Sequence, residues 1–223
     1  MHAVRLLAAL AVCVSLQAGA APFAVQLGDT RVGLDAPPGF SDTGFTGSPR
    51  LQELSEALTS ASNRILLFAI SDADLRRFTQ GDPLELRRYM LVVTARGTER
   101  ERMSESAFKA FSGDALRGLG QAPADANYPK YLDSQPTGAS SYLAELRRDA
   151  DVVSVLQGTR TKAGNPFLFQ RSSYLLSTTT LMLVRGRALN LSVYAPYEDA
   201  ADVEWIRVTT ARWVDELKRL NPR

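Results

Sequence analysis

Two hydrophobic periods stand side by side near the C-terminus, and together they constrain the fold more than any other feature. Leu189, Leu191 and Val193 alternate with Asn190, Ser192 and Tyr194, the period of two that marks a half-buried strand. After Pro196 the period changes. Val203, Ile206, Thr210, Trp213, Leu217 and Leu220 recur at steps of three and four, the apolar stripe of an amphipathic helix. Glu198 and Asp199 precede that helix while Lys218 and Arg219 end it, the order its dipole favours. Neither apolar face is stable in water, so the helix must lie on the sheet that holds the strand. Thr178 to Val184 supplies a hairpin partner, with Arg185-Gly186-Arg187 as the reversal. Past the N-terminus no apolar run is long enough to cross a membrane.

The rest of the chain adds strands and shorter helices. Phe23–Leu27 and Thr30–Leu34 read as strands joined by the turn pair Gly28-Asp29. Ser48 followed by Pro49 is a helix start, with Leu51, Leu54, Leu58 and Ala61 on one face. Arg64–Ser71 and Arg87–Arg96 read as strands, with a helical turn between them closed by Gly81. Ser104 caps a helix that buries Phe108 and Phe111, and Tyr142–Arg148 reads as a short helix. Val152–Thr161, Phe167–Val184 and Arg187–Tyr194 complete the strands, with Asn165-Pro166 as a further reversal. Gln121 to Ser141, with Pro123, Pro129 and Pro136, is irregular and reads as a long excursion inside one domain. The expected class is α+β: a mainly antiparallel sheet with packed helices and a long C-terminal helix, in one domain over residues 21–223.

Residues 1–20 read as an export signal. Arg5 is the basic start, Leu6–Val14 the apolar core, and Ala18-Gly19-Ala20 the small-residue cleavage pattern. A permanent anchor meets an apolar run shorter than the ~20 residues that span a bilayer. Lipidation of Cys13 meets Val12, larger than the small residue that processing wants there. The expected location is therefore periplasmic or secreted. Cys13 and His2 are the chain's sole cysteine and histidine, and both leave with the signal. The mature chain would then have no disulfide, no Cys nucleophile, no Cys or His zinc site and no Ser-His-Asp triad. About 200 residues must be held by a core alone, which is enough for a well-buried domain.

A net charge of +2, with acidic and basic residues interspersed as in Gly97–Ser106, makes no electrostatic case for nucleic acid.

The order of elements carries a family resemblance. An N-terminal hairpin leads into Leu34-Asp35-Ala36-Pro37-Pro38-Gly39-Phe40. The hairpin Leu181–Tyr194 and the helix Asp202–Leu217 close the chain. This arrangement resembles the PsbP/Mog1/DcrB-like group of small α/β/α proteins. The resemblance implies an exported, non-enzymatic protein and assigns no residue a role.

Four sets of residues could carry chemistry. Ser106-Ala107-Phe108-Lys109 matches S-x-x-K, and Thr161–Gly164 echoes K-T-G, but no S-D-N element lies between them. The serine and lysine suit the polar side of a helix. Asp72 with Asp74, and Asp149 with Asp151, could offer carboxylates to a cation, yet a calcium loop needs more oxygen ligands. Caps and turns are the expectation for both pairs. Carboxylate-only glycoside hydrolysis needs no histidine and survives as the alternative function. Finally, Tyr194, Tyr197 and Trp205 gather where the last strand meets the last helix, with Arg185 and Arg187 at the hairpin tip. Aromatics with arginine are the composition of interaction hot spots, although packing at the corner would use the same aromatics. These five are the candidate binding residues. No catalytic residue, metal ligand or cofactor is expected, and the function expected is binding of a partner protein or small ligand.

Overall fold

The computed structural model describes residues 22–124, 127–161 and 173–222. The export signal with Cys13, the Asn165-Pro166 reversal and the start of the Phe167–Val184 strand lie outside the described residues. Among the described residues, no helix is long and apolar enough to cross a membrane.

Strands β1 (Phe23–Leu27) and β2 (Thr30–Leu34) form a separate antiparallel hairpin. Its turn uses Gly28 at φ 57°, a left-handed conformation open to a residue without a Cβ. Among the described residues, seven further strands make one sheet: β3 (Phe40–Asp42), β4 (Asn63–Ser71), β5 (Tyr89–Ala95), β6 (Ser140–Arg148), β7 (Val152–Arg160), β8 (Tyr174–Val184) and β9 (Arg187–Pro196). Their order is β3-β4-β5-β9-β8-β7-β6, antiparallel at every pairing. The helices are α1 (Pro49–Ala57), α2 (Asp72–Gln80), α3 (Glu105–Arg117), α4 (Tyr128–Asp133) and α5 (Ala200–Leu220). The fold is α+β, with a mainly antiparallel sheet and a long C-terminal helix, as the two periods require.

Local signals work as chemistry predicts. Ser48, Ser71 and Ser104 each accept a backbone N–H at the start of α1, α2 and α3, satisfying donors that a helix leaves unpaired. Asp199 does the same for α5. The Arg185-Gly186 reversal holds both residues at positive φ, 49° and 77°, the type I′ geometry that matches strand twist.

One face of the sheet carries the larger core. Ile206, Trp213, Val214 and Leu217 of α5 meet Met90, Val92, Leu176, Leu191 and Val193, and the β1–β2 hairpin adds Leu27, Val32 and Leu34. Asn221 ties the hairpin to the end of α5: its side chain accepts the Gly33 N–H at 2.8 Å and donates to the Gly33 carbonyl at 2.8 Å. On the opposite face, Leu51 of α1 joins Phe68, Ile70, Leu86, Tyr89 and Leu91 in a second cluster.

Four expectations need correction. Tyr142–Arg148 belongs to a strand, not a helix. Its Leu, Ala, Glu and Arg favour helix, but pairing with β7 supplies a ladder over most of its length. Two irregularities, at Tyr142/Ala144 and Glu145/Arg147, break the alternation that would have announced a strand. Phe111 is exposed (43%), whereas Ser112 is buried beside Phe108. A step of four keeps residue 112 nearer the face of residue 108 than a step of three keeps residue 111. The excursion from Gln121 to Ser141 contains α4, capped by the Asn127 side chain on the Lys130 N–H. Lastly, β9 is buried on both faces at its centre: Ser192 is buried, and Tyr194 packs against the second cluster.

Candidate functional site

The sheet is incomplete along one edge. β3 is three residues long and pairs with β4 only at Ala69–Ser71, while β4 runs back to Asn63. Two bonds finish this pairing. The Phe68 N–H donates to an Asp42 carboxylate oxygen at 3.1 Å, and the Thr43 N–H donates to the Phe68 carbonyl at 2.8 Å. The chain then departs through a 3-10 turn at Gly44–Thr46. A Cβ at Gly44 would lie 3.0 Å from Asp42 Oδ2, so the departure passes tightly over that carboxylate. Burial pushes the Asp42 carboxyl above its ordinary value, against backbone N–H groups that pull it down.

Beyond that exit no strand among the described residues pairs with the outer side of β4 from Asn63 to Leu67. A cleft of about 700 Å³ lies there between β4 and α1, lined by Ser48, Gln52 and Ser55 on one side and by Asn63, Arg64 and Arg96 on the other. Phe45, in the turn between lining residues Gly44 and Gly47, is 71% exposed, with the Phe23 ring edge-on at 5.4 Å. Arg96 is exposed. Its Nε donates to the Ala61 and Asn63 carbonyls at 3.2 and 3.0 Å, and no carboxylate pairs with it among the described residues. Arg64 does have a carboxylate, Glu99, at 3.4 Å. The cleft thus combines hydrogen-bonding side chains, an open strand edge and one unmatched cation.

A second cavity, about 320 Å³, lies between the Asp35–Phe40 turn and α5, and three carboxylates line it: Asp35, Asp72 and Glu216. Asp72 accepts the Ser41 hydroxyl at 2.7 Å, and Glu216 is held by the Arg219 guanidinium. Asp35 Oδ1 is buried without a partner. Burial raises the Asp35 carboxyl, and the neighbouring Glu216 charge raises it further. Of the carboxylates lining either cavity, Asp35 alone keeps a buried oxygen unpartnered. Among the described residues, no group of three or more His, Cys, Asp or Glu is placed to hold a metal.

The five residues singled out from sequence do not form one surface. Arg187 is 2% exposed: it pairs with Asp29, donates to Thr30 Oγ1 at 3.2 Å, and leaves Nη1 without a partner. Arg185 donates to the carbonyls of Pro222 and Arg31 at 3.3 and 3.2 Å. Both arginines clamp the β1–β2 hairpin onto the sheet. Tyr194 stacks on Tyr89 with centroids 4.4 Å apart, and burial raises its hydroxyl. Tyr197 lies 6.3 Å from the rings of both Tyr128 and Tyr174. Trp205 lies 6.2 Å from the Phe40 ring, with the Arg88 guanidinium 4.0 Å over its own. Arg187 and Tyr194 are separated by most of the length of β9, about 23 Å at ~3.3 Å per residue.

The remaining candidates have structural partners. Ser106 is exposed and shares a hydrogen bond with Ser104, not with Lys109. Asp74 completes the Ser71 cap and accepts the Glu85 N–H at 2.9 Å. Asp149 and Asp151, in the β6–β7 turn, bind Lys218 of α5 at 3.2 and 2.7 Å. The Lys162–Gly164 part of the K-T-G echo lies outside the described residues. Sequence reasoning missed the β4 cleft, because a free edge arises from where β3 stops rather than from any pattern within β4.

No family model matches the chain, and no curated protein matches it. Among solved structures it is similar to the Ran-binding protein Mog1p of Saccharomyces cerevisiae. The identity is 13% and the TM-score 0.39, over 89% of this chain and 93% of that one. The weak resemblance to the PsbP/Mog1/DcrB-like group, drawn from the order of elements, has that counterpart among solved structures. At this identity and TM-score it transfers no residue role and no partner.

Proposed function

We propose that this is a non-catalytic binding protein of the bacterial periplasm, holding a partner protein or small ligand in the cleft beside β4. The cleft carries the reading: about 700 Å³ of open space against a strand edge, within the size range of ligand sites. The export pattern of residues 1–20 supports the location. The carboxylate-hydrolase alternative has less behind it, since Asp42 and Glu56 in the cleft are both hydrogen bonded, to the Phe68 N–H and to Gln52. Native mass spectrometry of the protein isolated from its own periplasm, followed by cross-linking, tests the proposal. The expected result is a chain shortened by its signal and carrying a co-purifying mass or a cross-linked partner. A clean monomer with neither would overturn it.

A further inference from the structure

We infer that the cleft takes an extended peptide segment with an acidic residue at its C-terminal end, added to the sheet as a strand beside β4. The inference rests on the binding reading above and names the partner class.

The edge comes first. β3 occupies the outer side of β4 only as far as Asp42, opposite Ala69, and Arg64–Leu67, with a bulge between Ile65 and Leu67, continues beyond it without a neighbour strand among the described residues. Unpaired strand edges display backbone donors and acceptors that bind another strand directly. The space is also the right kind. The cleft lies along this edge rather than over a sheet face, and its far wall is polar, with Ser48, Gln52 and Ser55. A guest strand's outward side would meet groups able to hydrogen bond with it. About four residues of free edge, Arg64 to Leu67, at ~3.3 Å each, admit roughly 13 Å of peptide, since the Asn63 N–H and carbonyl are already bonded to Ser60 and Arg96. Phe45, 71% exposed, stands beside the cleft where a guest apolar side chain would be shielded from water.

Charge sets the direction. β3 runs antiparallel to β4, and a guest in the same line, with the more stable antiparallel pairing, ends beside Asn63. Arg96 is anchored there by its bonds to Ala61 and Asn63, leaving the rest of its guanidinium exposed. Glu56, the acid on the α1 wall, accepts from the Gln52 amide at 2.9 Å and forms no ion pair with Arg96 among the described residues. A carboxylate near the end of the guest would therefore pair with Arg96 with bidentate geometry available. A basic residue there would be repelled.

The test selects phage-displayed dodecapeptides against the mature protein and maps the enriched peptides by backbone hydrogen exchange. The expected peptides carry Asp or Glu toward the C-terminal end of the bound segment. They should slow exchange of amides within residues 64–67 by about tenfold or more. Methylating alternate peptide amides should weaken binding about tenfold, the scale of one lost hydrogen bond. Arg96→Glu, at an exposed position, should turn the selection toward Lys or Arg. Protection elsewhere, indifference to N-methylation, or a self-dimer through β4 would each overturn strand addition. If no peptide is enriched while native mass spectrometry still finds a bound mass, the peptide class fails and the binding role stands. If both are empty, the two fail together.

Discussion

At the scale of single residues, Arg187 and Asp35 each keep a buried polar atom without a partner. Arg187 is buried with one nitrogen unpartnered, and its charge is answered by Asp29. Removing the anion alone strands a buried cation, whereas replacing the whole pair removes the problem. The Asp29→Ala variant should therefore unfold at lower urea than the Asp29→Ala/Arg187→Met double variant; the reverse order would show that the pair is not the stabilising unit. The two acids have opposite pH signatures. Bonds from Thr30 and then Arg187 hold the Asp29 carboxyl below its ordinary 3.8. Its contribution is full above that value and drains as pH falls through the lower native value. Burial raises the Asp35 carboxyl above 3.8, so its contribution is full below 3.8 and is lost as pH rises through the raised native value. Urea midpoints across pH 3 to 8 should show the acid limb flattened by Asp29→Ala. Asp35→Asn should flatten the limb above 3.8 and raise the midpoint at neutral pH.

At the scale of elements, two helices dock by different means. α4 lies on β7 at a glycine: a Cβ at Gly158 would meet methyls of Leu132 and Leu143, both at 2.9 Å. Overpacking of this kind costs about 1–3 kcal/mol. Gly158→Ala should be destabilising by that amount and be partly rescued by Leu132→Ala, as a double-mutant cycle would show. α5 docks by area. Trp213 is 1% exposed and its Nε1–H reaches the Asp35 carbonyl at 2.8 Å, so Trp213→Ala should cost about 3–5 kcal/mol in equilibrium unfolding. Sequence reasoning found α5 because its stripe, Val203 to Leu220, repeats over about five turns. It missed β6 because the preferences of Leu, Ala, Glu and Arg point the other way, and only the neighbouring β7 overrides them.

At the scale of the whole molecule, the joint between β5 and β9 matters most. It pairs Tyr89 with Tyr194 and Val93 with Asn190, stitching the N-terminal strands to the C-terminal ones. The Asp35–Trp213 and Gly33–Asn221 bonds cross between the same regions. Calorimetry should accordingly show one cooperative transition, whereas two would divide the strands at that joint. What the sequence determined by itself is whatever depends on near neighbours along the chain. That covers the period of two in β9, the stripe of α5, the serine caps of α1 to α3, and the turns at Gly28 and Gly186. It also covers the α+β class, which follows from apolar faces that must meet. Tertiary structure alone decided the strand order, the fate of Tyr142–Arg148 and the scattering of five candidate residues to different places. It also decided the open edge of β4. These depend on which distant segment lies alongside and where a neighbour stops, and no residue within a strand records the length of the strand beside it.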